Sequence, residues 1–132
     1  MRPDISNNLI HFTKGPEAEA FPLLQQIIAE RSLRGGNGMI RGGHRCVCFT
    51  EAPLHSLENG LVNPFAYARY APFGIVTSKR YLFAQGGRPA IYQSDEEYDL
   101  LSDDQKWRHV RYEPNGEPMI DFSWEREWRI TQ

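Results

Sequence analysis

Apolar positions fall along the chain in short blocks whose spacing alternates between two periods. NLIHFT (8–13) is a compact apolar and β-branched block and predicts a first strand. GPEAEAFPLLQQIIAERSL (15–33) instead sets Phe21, Leu24, Ile27 and Ile28 at helical spacing, with acids near its start, and predicts a helix. Pro22 is then expected in the first turn, where its missing N–H is harmless. RGGNGMIRGGH (34–44) is a glycine-rich loop, too irregular for a Walker motif or a dinucleotide fingerprint. RCVCFTE (45–51) predicts a second strand, ended by Ala52-Pro53. NPFAYARY (63–70) reads as a short helix with Asn63 as cap and Pro64 at its first position. FGIVTS (73–78) and RPAIYQ (88–93) predict a third and a fourth strand. Ser94 with Glu97 makes a capping-box pattern opening a helix through DEEYDLL (95–101), and Ser102 with Gln105 opens another short one. PNGEP (114–118) signals a turn, and MIDFSWEREWRI (119–130) the last strand or pair of strands. Strands gathered around few helices imply the α+β class.

The final block has a pattern of its own. In an extended strand, Trp124, Arg126, Trp128 and Ile130 share one face and Glu125, Glu127 and Arg129 the other. The first face suits a core. The second gathers two acids and a base on a stretch aromatic enough to be firmly held.

Composition bounds the rest. The chain has 132 residues, 40% hydrophobic and 24% charged, which fits one domain over 1–132 with a packed core. The 15 basic against 17 acidic residues leave a formal net charge of −2, so overall charge gives no reason for nonspecific nucleic-acid binding. Arg31, Arg34, Arg41 and Arg45 do cluster around the glycine-rich stretch. No apolar run approaches the roughly 20 residues that span a bilayer, and MRPDISNNLIHF lacks the apolar region of a signal peptide. Cys46 and Cys48 are too close for an unstrained mutual disulfide, and a zinc site would need a second Cys pair. They read as buried strand thiols. A soluble cytoplasmic domain is expected.

Three polar sites sit inside otherwise apolar strands: His11 and Thr13 in LIHFT, Thr50 and Glu51 in CFTE, and Glu125 with Glu127 in WEREW. Singly, each has a plain structural reading. Together they resemble a known order. LIHFTK, an amphipathic helix and RSLRGG look like the opening of the ADP-ribosyltransferase superfamily. CFTEAPL, YARYAPFGIVTSK, GGRPAIY and EREWRI continue it in a manner similar to a bacterial branch typified by the abortive-infection AbiGi proteins, from residue 9 to residue 130. The resemblance implies a small split β-sheet core with few short helices. It implies NAD as cosubstrate and cleavage of the nicotinamide–ribose bond through an oxocarbenium-like transition state, the problem carboxylates solve in glycoside hydrolysis.

Site roles follow residue by residue from the same resemblance. Glu127, just before Trp128-Arg129, aligns with the catalytic Glu of the third motif, and Glu125 would orient the acceptor. His11 and Thr13 would bond a ribose, and Thr50 supplies the middle motif's hydroxyl. Tyr67 or Tyr70 would stack on the nicotinamide. Arg41 or Arg45 would meet the pyrophosphate bidentately. CFTE lacks the Ser-Thr-Ser pattern of the arginine-modifying branch, so the His-first subdivision fits better, and the chain stops almost at the third motif.

Three functions follow. The first is an NAD-dependent ADP-ribosyltransferase acting on a macromolecular acceptor, protein or nucleic acid, in phage–host conflict as toxin, defence effector or phage-encoded inhibitor. The second is a catalytically inactive version serving as a binding protein or antitoxin with a partner toxin. The third, RNA 2′-phosphotransfer, needs a basic phosphate site that only the 31–45 region offers. All three require the first and last strands in one sheet system, with His11 and Glu127 opening onto a common cleft.

Overall fold

The computed structural model describes residues 6–14, 16–38, 40–53 and 70–132. Among the described residues, seven strands carry the fold: β1 (Asn8–Lys14), β2 (Cys46–Thr50), β3 (Tyr70–Ser78), β4 (Arg88–Pro89), β5 (Ile91–Gln93), β6 (His109–Arg111) and β7 (Glu127–Thr131). Two α-helices of the same residues, α1 (Glu17–Glu30) and α2 (Lys79–Ala84), accompany them. The class is α+β. An antiparallel sheet runs in the order β3-β1-β2-β7-β4, and β5 and β6 form a separate parallel pair.

The first and last strands therefore share one sheet, with β2 between them. β1 pairs along β3 from Asn8↔Ser78 to Phe12↔Gly74, and β2 pairs along β7 from Cys46↔Thr131 to Thr50↔Glu127. Between these ladders, β1 meets β2 in register at Ile10↔Thr50. Gly74 allows the close approach to β1, since a Cβ there would lie 2.7 Å from the His11 carbonyl oxygen. Alternation along paired strands puts Leu9, Val47, Phe49 and Trp128 on one face. That face is the core: these four cluster with Leu82 of α2, and Leu33 and Ile130 pack against them. Burying each large apolar side chain contributes on the order of 1.5–3 kcal/mol. The opposite face carries Ile10, Cys48, Thr50, Glu127 and Arg129.

Several elements depart from the pattern-based expectation. Pro22 lies inside α1, beyond its first turn, and Phe21 and Ile28 are exposed while Ala20 is buried. The helix turns Ala20 fully inward against β1 and β3, and half-exposed Phe21 lays its ring 5.2 Å from that of Phe73 on β3. NPFAYARY lies outside the described residues except for Tyr70, whose backbone begins β3 rather than ending a helix. RPAIYQ divides at Ala90 into β4 and β5, which belong to different sheets. The capping box at Ser94 and Glu97 is present, but it opens a 3-10 helix (Asp95–Leu100), not an α-helix. Ser102 and Gln105 close a turn at 2.9 Å, followed by a 3-10 turn over Lys106–Arg108. PNGEP does reverse the chain, and Glu113 and Ile120 exchange backbone hydrogen bonds of 2.8 and 3.1 Å. α2 and β6 had no counterpart in the pattern. Among the described residues, no helix is long and apolar enough to cross a membrane.

Candidate functional site

The two acids of WEREW do not lie on one strand. Ser123–Glu125 forms a 3-10 turn, Arg126 takes a left-handed conformation at φ 43°, and β7 starts only at Glu127. Left-handed backbone is uncommon for a residue with a side chain and persists where surroundings hold it. Here the Glu51 N–H donates to the Arg126 carbonyl at 3.1 Å, and the Thr50 hydroxyl donates to the Glu125 carbonyl. The Thr50 hydroxyl also accepts from Ala52 N–H at 3.2 Å. Thr50, at the end of β2, is thereby the peg that positions the turn carrying Glu125.

Both acids line one cavity of about 580 Å³, which also takes in Arg41, Asp95, His109 and Arg129. The volume lies within the range of about 300–1,000 Å³ usual for ligand pockets. Glu125 is buried, and the Glu127 carboxylate is ion-paired with the Arg129 guanidinium two residues on, on the same face of β7. Arg129 is itself buried, and its Nη1 donates to the carbonyls of Trp107 and His109 at 2.9 Å each. One guanidinium thus holds the acid and ties β7 to β6. The Glu127 N–H donates to the Tyr92 hydroxyl at 2.8 Å. Burial, reinforced by the charges of Glu127 and Glu125, pushes the Tyr92 pKa above its usual value, so the phenol stays neutral.

His109 forms the far wall. It is buried, its Nε2 lies 3.3 Å from an Asp95 carboxylate oxygen, and its ring meets Tyr98 edge-on at 5.1 Å. Burial lowers its pKa despite the opposing pull of Asp95. Arg41 stands at the mouth. Its guanidinium bonds both the carbonyl and the carboxylate of Asp95 at 2.7 Å and lies 4.2 Å from the Tyr98 ring centroid. Both partners of that ion pair are more than a third exposed, so it is cheap to exchange for another anion.

His11, Thr13 and Thr50 line a second cavity of about 260 Å³, with Cys46, Cys48 and Leu23. The two cavities share Gly38, Ile40 and Cys48, and so adjoin over the same face of the sheet. Alternation gives the His11 ring to the other face, where it meets Phe49 edge-on at 5.7 Å. His11 and Glu127 therefore line different cavities and point to opposite faces of the sheet, so the two do not open onto the common cleft expected of them. His11 Nδ1 lies 2.7 Å from the Cys48 carbonyl oxygen. A carbonyl only accepts, so Nδ1 carries the proton and neutral His11 has its lone pair on Nε2. The Thr13 hydroxyl donates to the Phe73 carbonyl at 3.0 Å.

Of the remaining sequence-nominated residues, Arg45 is exposed and outside both sets of lining residues. Tyr67 lies outside the described residues, and Tyr70 pairs with Lys14 through its backbone only as far as the description reaches. Tyr92, Asp95 and His109 were not nominated. Tyr92 lies in the strand expected from RPAIYQ but nothing there marks it as a site residue, His109 sits in a short strand with no local signal, and Asp95 is hidden inside the capping box. Comparison with family models, with curated proteins and with solved structures finds nothing that matches this chain.

Proposed function

We propose that the protein is an NAD-dependent ADP-ribosyltransferase acting on a macromolecular acceptor, with a split-sheet core of that superfamily. One observation carries the reading. The three segments that resemble the family's motifs form adjacent strands, with Ile10, Thr50 and Glu127 in one cross-strand row and adjoining cavities above it. The scissile nicotinamide–ribose bond comes with NAD, and this chain contributes binding and charge. Glu127, oriented by Arg129 and by the Tyr92 contact to its backbone, presents a carboxylate to developing positive charge. Arg41 is the residue at hand for the pyrophosphate, exchanging Asp95 for phosphate oxygens. Glu125, on its pegged turn, faces the same cavity and would orient the acceptor.

A second reading, an inactive binding protein or antitoxin of the same fold, is favoured by a different observation. Glu127, Thr50 and His11 each already bond within the chain, to Arg129, to Glu125 and Ala52, and to Cys48. Incubation with NAD and assay of released nicotinamide separates the two. Turnover is expected in the wild type, with a loss of about 10²-fold or more in folded Glu127→Gln, which keeps shape and removes charge. Full activity in that variant sinks the role of Glu127. Absence of turnover in the wild type removes the first reading and leaves the second, which acts through a protein partner, standing whether or not NAD binds.

A further inference from the structure

On the core side of the sheet, α2 and β4 build a surface that none of the chemistry above uses. Lys79 and Arg80 open α2, Arg88 lies on the edge strand β4, and Arg108 donates to the Pro89 carbonyl at 3.0 Å. Among the described residues, Glu51 pairs with Lys79 at 2.6 Å, and no carboxylate pairs with Arg80, Arg88 or Arg108. Arg88 bonds only carbonyls, those of Phe83 and Gly87 at 2.9 and 2.7 Å. Burial and the like charge of Arg88 lower the pKa of Arg108, which marks a cluster of cations held together without counter-charge. Such a cluster costs stability unless an anion visits it.

Aromatic planes stand among these cations. Tyr81 is 60% exposed and Phe83 50%, and the Arg88 guanidinium carbon lies 3.6 Å from the Phe83 ring centroid. Beside them opens a cavity of about 660 Å³ lined by Asn7, Asn8, Ser78, Lys79, Phe83 and Trp128, among others. Trp128 is 6% exposed and forms part of its wall, with the Lys79 ammonium 5.8 Å from the ring centroid.

We infer that this α2–β4 surface docks single-stranded nucleic acid, with phosphates on Arg80, Arg88 and Arg108 and bases on Tyr81 and Phe83. Cations interleaved with exposed aromatic planes are the chemistry that holds unstacked strands, because every base offers a face to stack. Amide and hydroxyl groups in the adjoining cavity suit base edges. An acidic protein partner would use the cations but leave both exposed rings without purpose. The chain's overall charge of −2 means that any such binding must come from this local patch.

The test uses the full chain without NAD and a fluorescent oligonucleotide of about ten nucleotides, read by anisotropy over a salt series. Saturable binding is expected, with log K falling linearly in log salt. Arg80→Gln changes an exposed side chain that bonds no other described residue, so it should leave the thermal melt unchanged while reducing the salt slope by about 0.7. Tyr81→Ala and Phe83→Ala should each weaken the oligonucleotide roughly five- to hundredfold and leave binding of inorganic polyphosphate unchanged. The proposal is overturned by absence of binding, by indifference to all three variants, or by equal affinity for polyphosphate or for duplex. Self-association that occludes the patch, seen as concentration-dependent sedimentation lost in Phe83→Ala, would overturn it too.

Discussion

Thr50 illustrates how a single hydroxyl decides where a site sits. It is buried, it gives its proton to the Glu125 carbonyl and it accepts from Ala52 N–H, so both its capacities serve the backbone. Thr50→Val keeps the shape and leaves two buried backbone groups unpaired, a cost of about 1–3 kcal/mol. The urea midpoint should fall accordingly with an unchanged slope, and an unshifted midpoint would show the peg to be idle. His109 offers a different readout. The groups facing it are the Asp95 carboxylate, the Arg41 and Arg129 guanidinium groups and the Tyr98 ring, and burial wins by lowering its pKa. With the folded value below the unfolded one of about 6.5, the unfolded chain takes up the proton first. Stability is then full above about pH 6.5 and declines as pH falls from there through the folded value. The carboxylates that are held low, Asp95, Glu97 and Glu113, act only at lower pH, below their ordinary range. His109→Gln should therefore flatten unfolding free energy between about pH 7 and pH 5, measured by denaturant titration. A slope in that window as steep as the wild type's would assign it elsewhere.

At the scale of elements, α1 is built against its own sequence. Pro22 sits inside the helix, where it supplies no N–H to the Ala18 carbonyl and its ring crowds that group. Pro is about 3 kcal/mol less favourable than Ala in a helix interior, and Pro22 is exposed, so little packing is lost on replacement. Pro22→Ala should raise the unfolding free energy by about 1–3 kcal/mol; a lower melting temperature would mean that the ring itself makes a contact worth keeping. Helical spacing was legible here, but which face would be buried was not, since that depends on β1 and β3 lying beneath Ala20. Strands long enough to alternate, β1 to β3, were likewise legible, and so was the capping box, because each signal is local. RPAIYQ was legible as strand but its division into β4 and β5 was not, nor was β6, because three residues hold too few positions to show a period and the β5–β6 pairing is parallel and distant in sequence. The candidate site divides in the same way. Glu125 and Glu127 were marked by flanking tryptophans, whereas His109 reaches the cavity, and Tyr92 the Glu127 backbone, only through tertiary contacts made by those short strands. The left-handed turn at Arg126, which ends the expected alternation, is imposed by Thr50 and Glu51 from β2 and its exit.

For the whole molecule, the question is what joins the five-stranded sheet to the β5–β6 pair. Arg129 is the most direct answer: one side chain, 5% exposed, grips Glu127 on its own strand and two carbonyls, that of Trp107 in the turn before β6 and that of His109 at its start. Glu127, with its side chain 11% exposed, is nearly as enclosed. Removing one partner of a buried ion pair strands the other, which costs about 3–5 kcal/mol, whereas removing both charges together is often close to neutral. Arg129→Met alone should therefore be severely destabilising, because it leaves the Glu127 carboxylate without its cation and two backbone carbonyls without a donor. Glu127→Gln alone should cost less, since Arg129 keeps both carbonyl bonds and the amide oxygen can still accept. The double variant should then be more stable than the sum of the two losses predicts, by an interaction energy of about 1–3 kcal/mol. Denaturant unfolding of the four proteins, followed both by tryptophan fluorescence and by far-ultraviolet circular dichroism, measures that energy. It also asks whether the sheets part company: coincident transitions are expected in the wild type and separated ones in Arg129→Met, where β6 loses its hold on β7. Strict additivity with coincident transitions in all four would mean that the two sheets are joined by packing alone and that Arg129 serves only to orient the acid beside it.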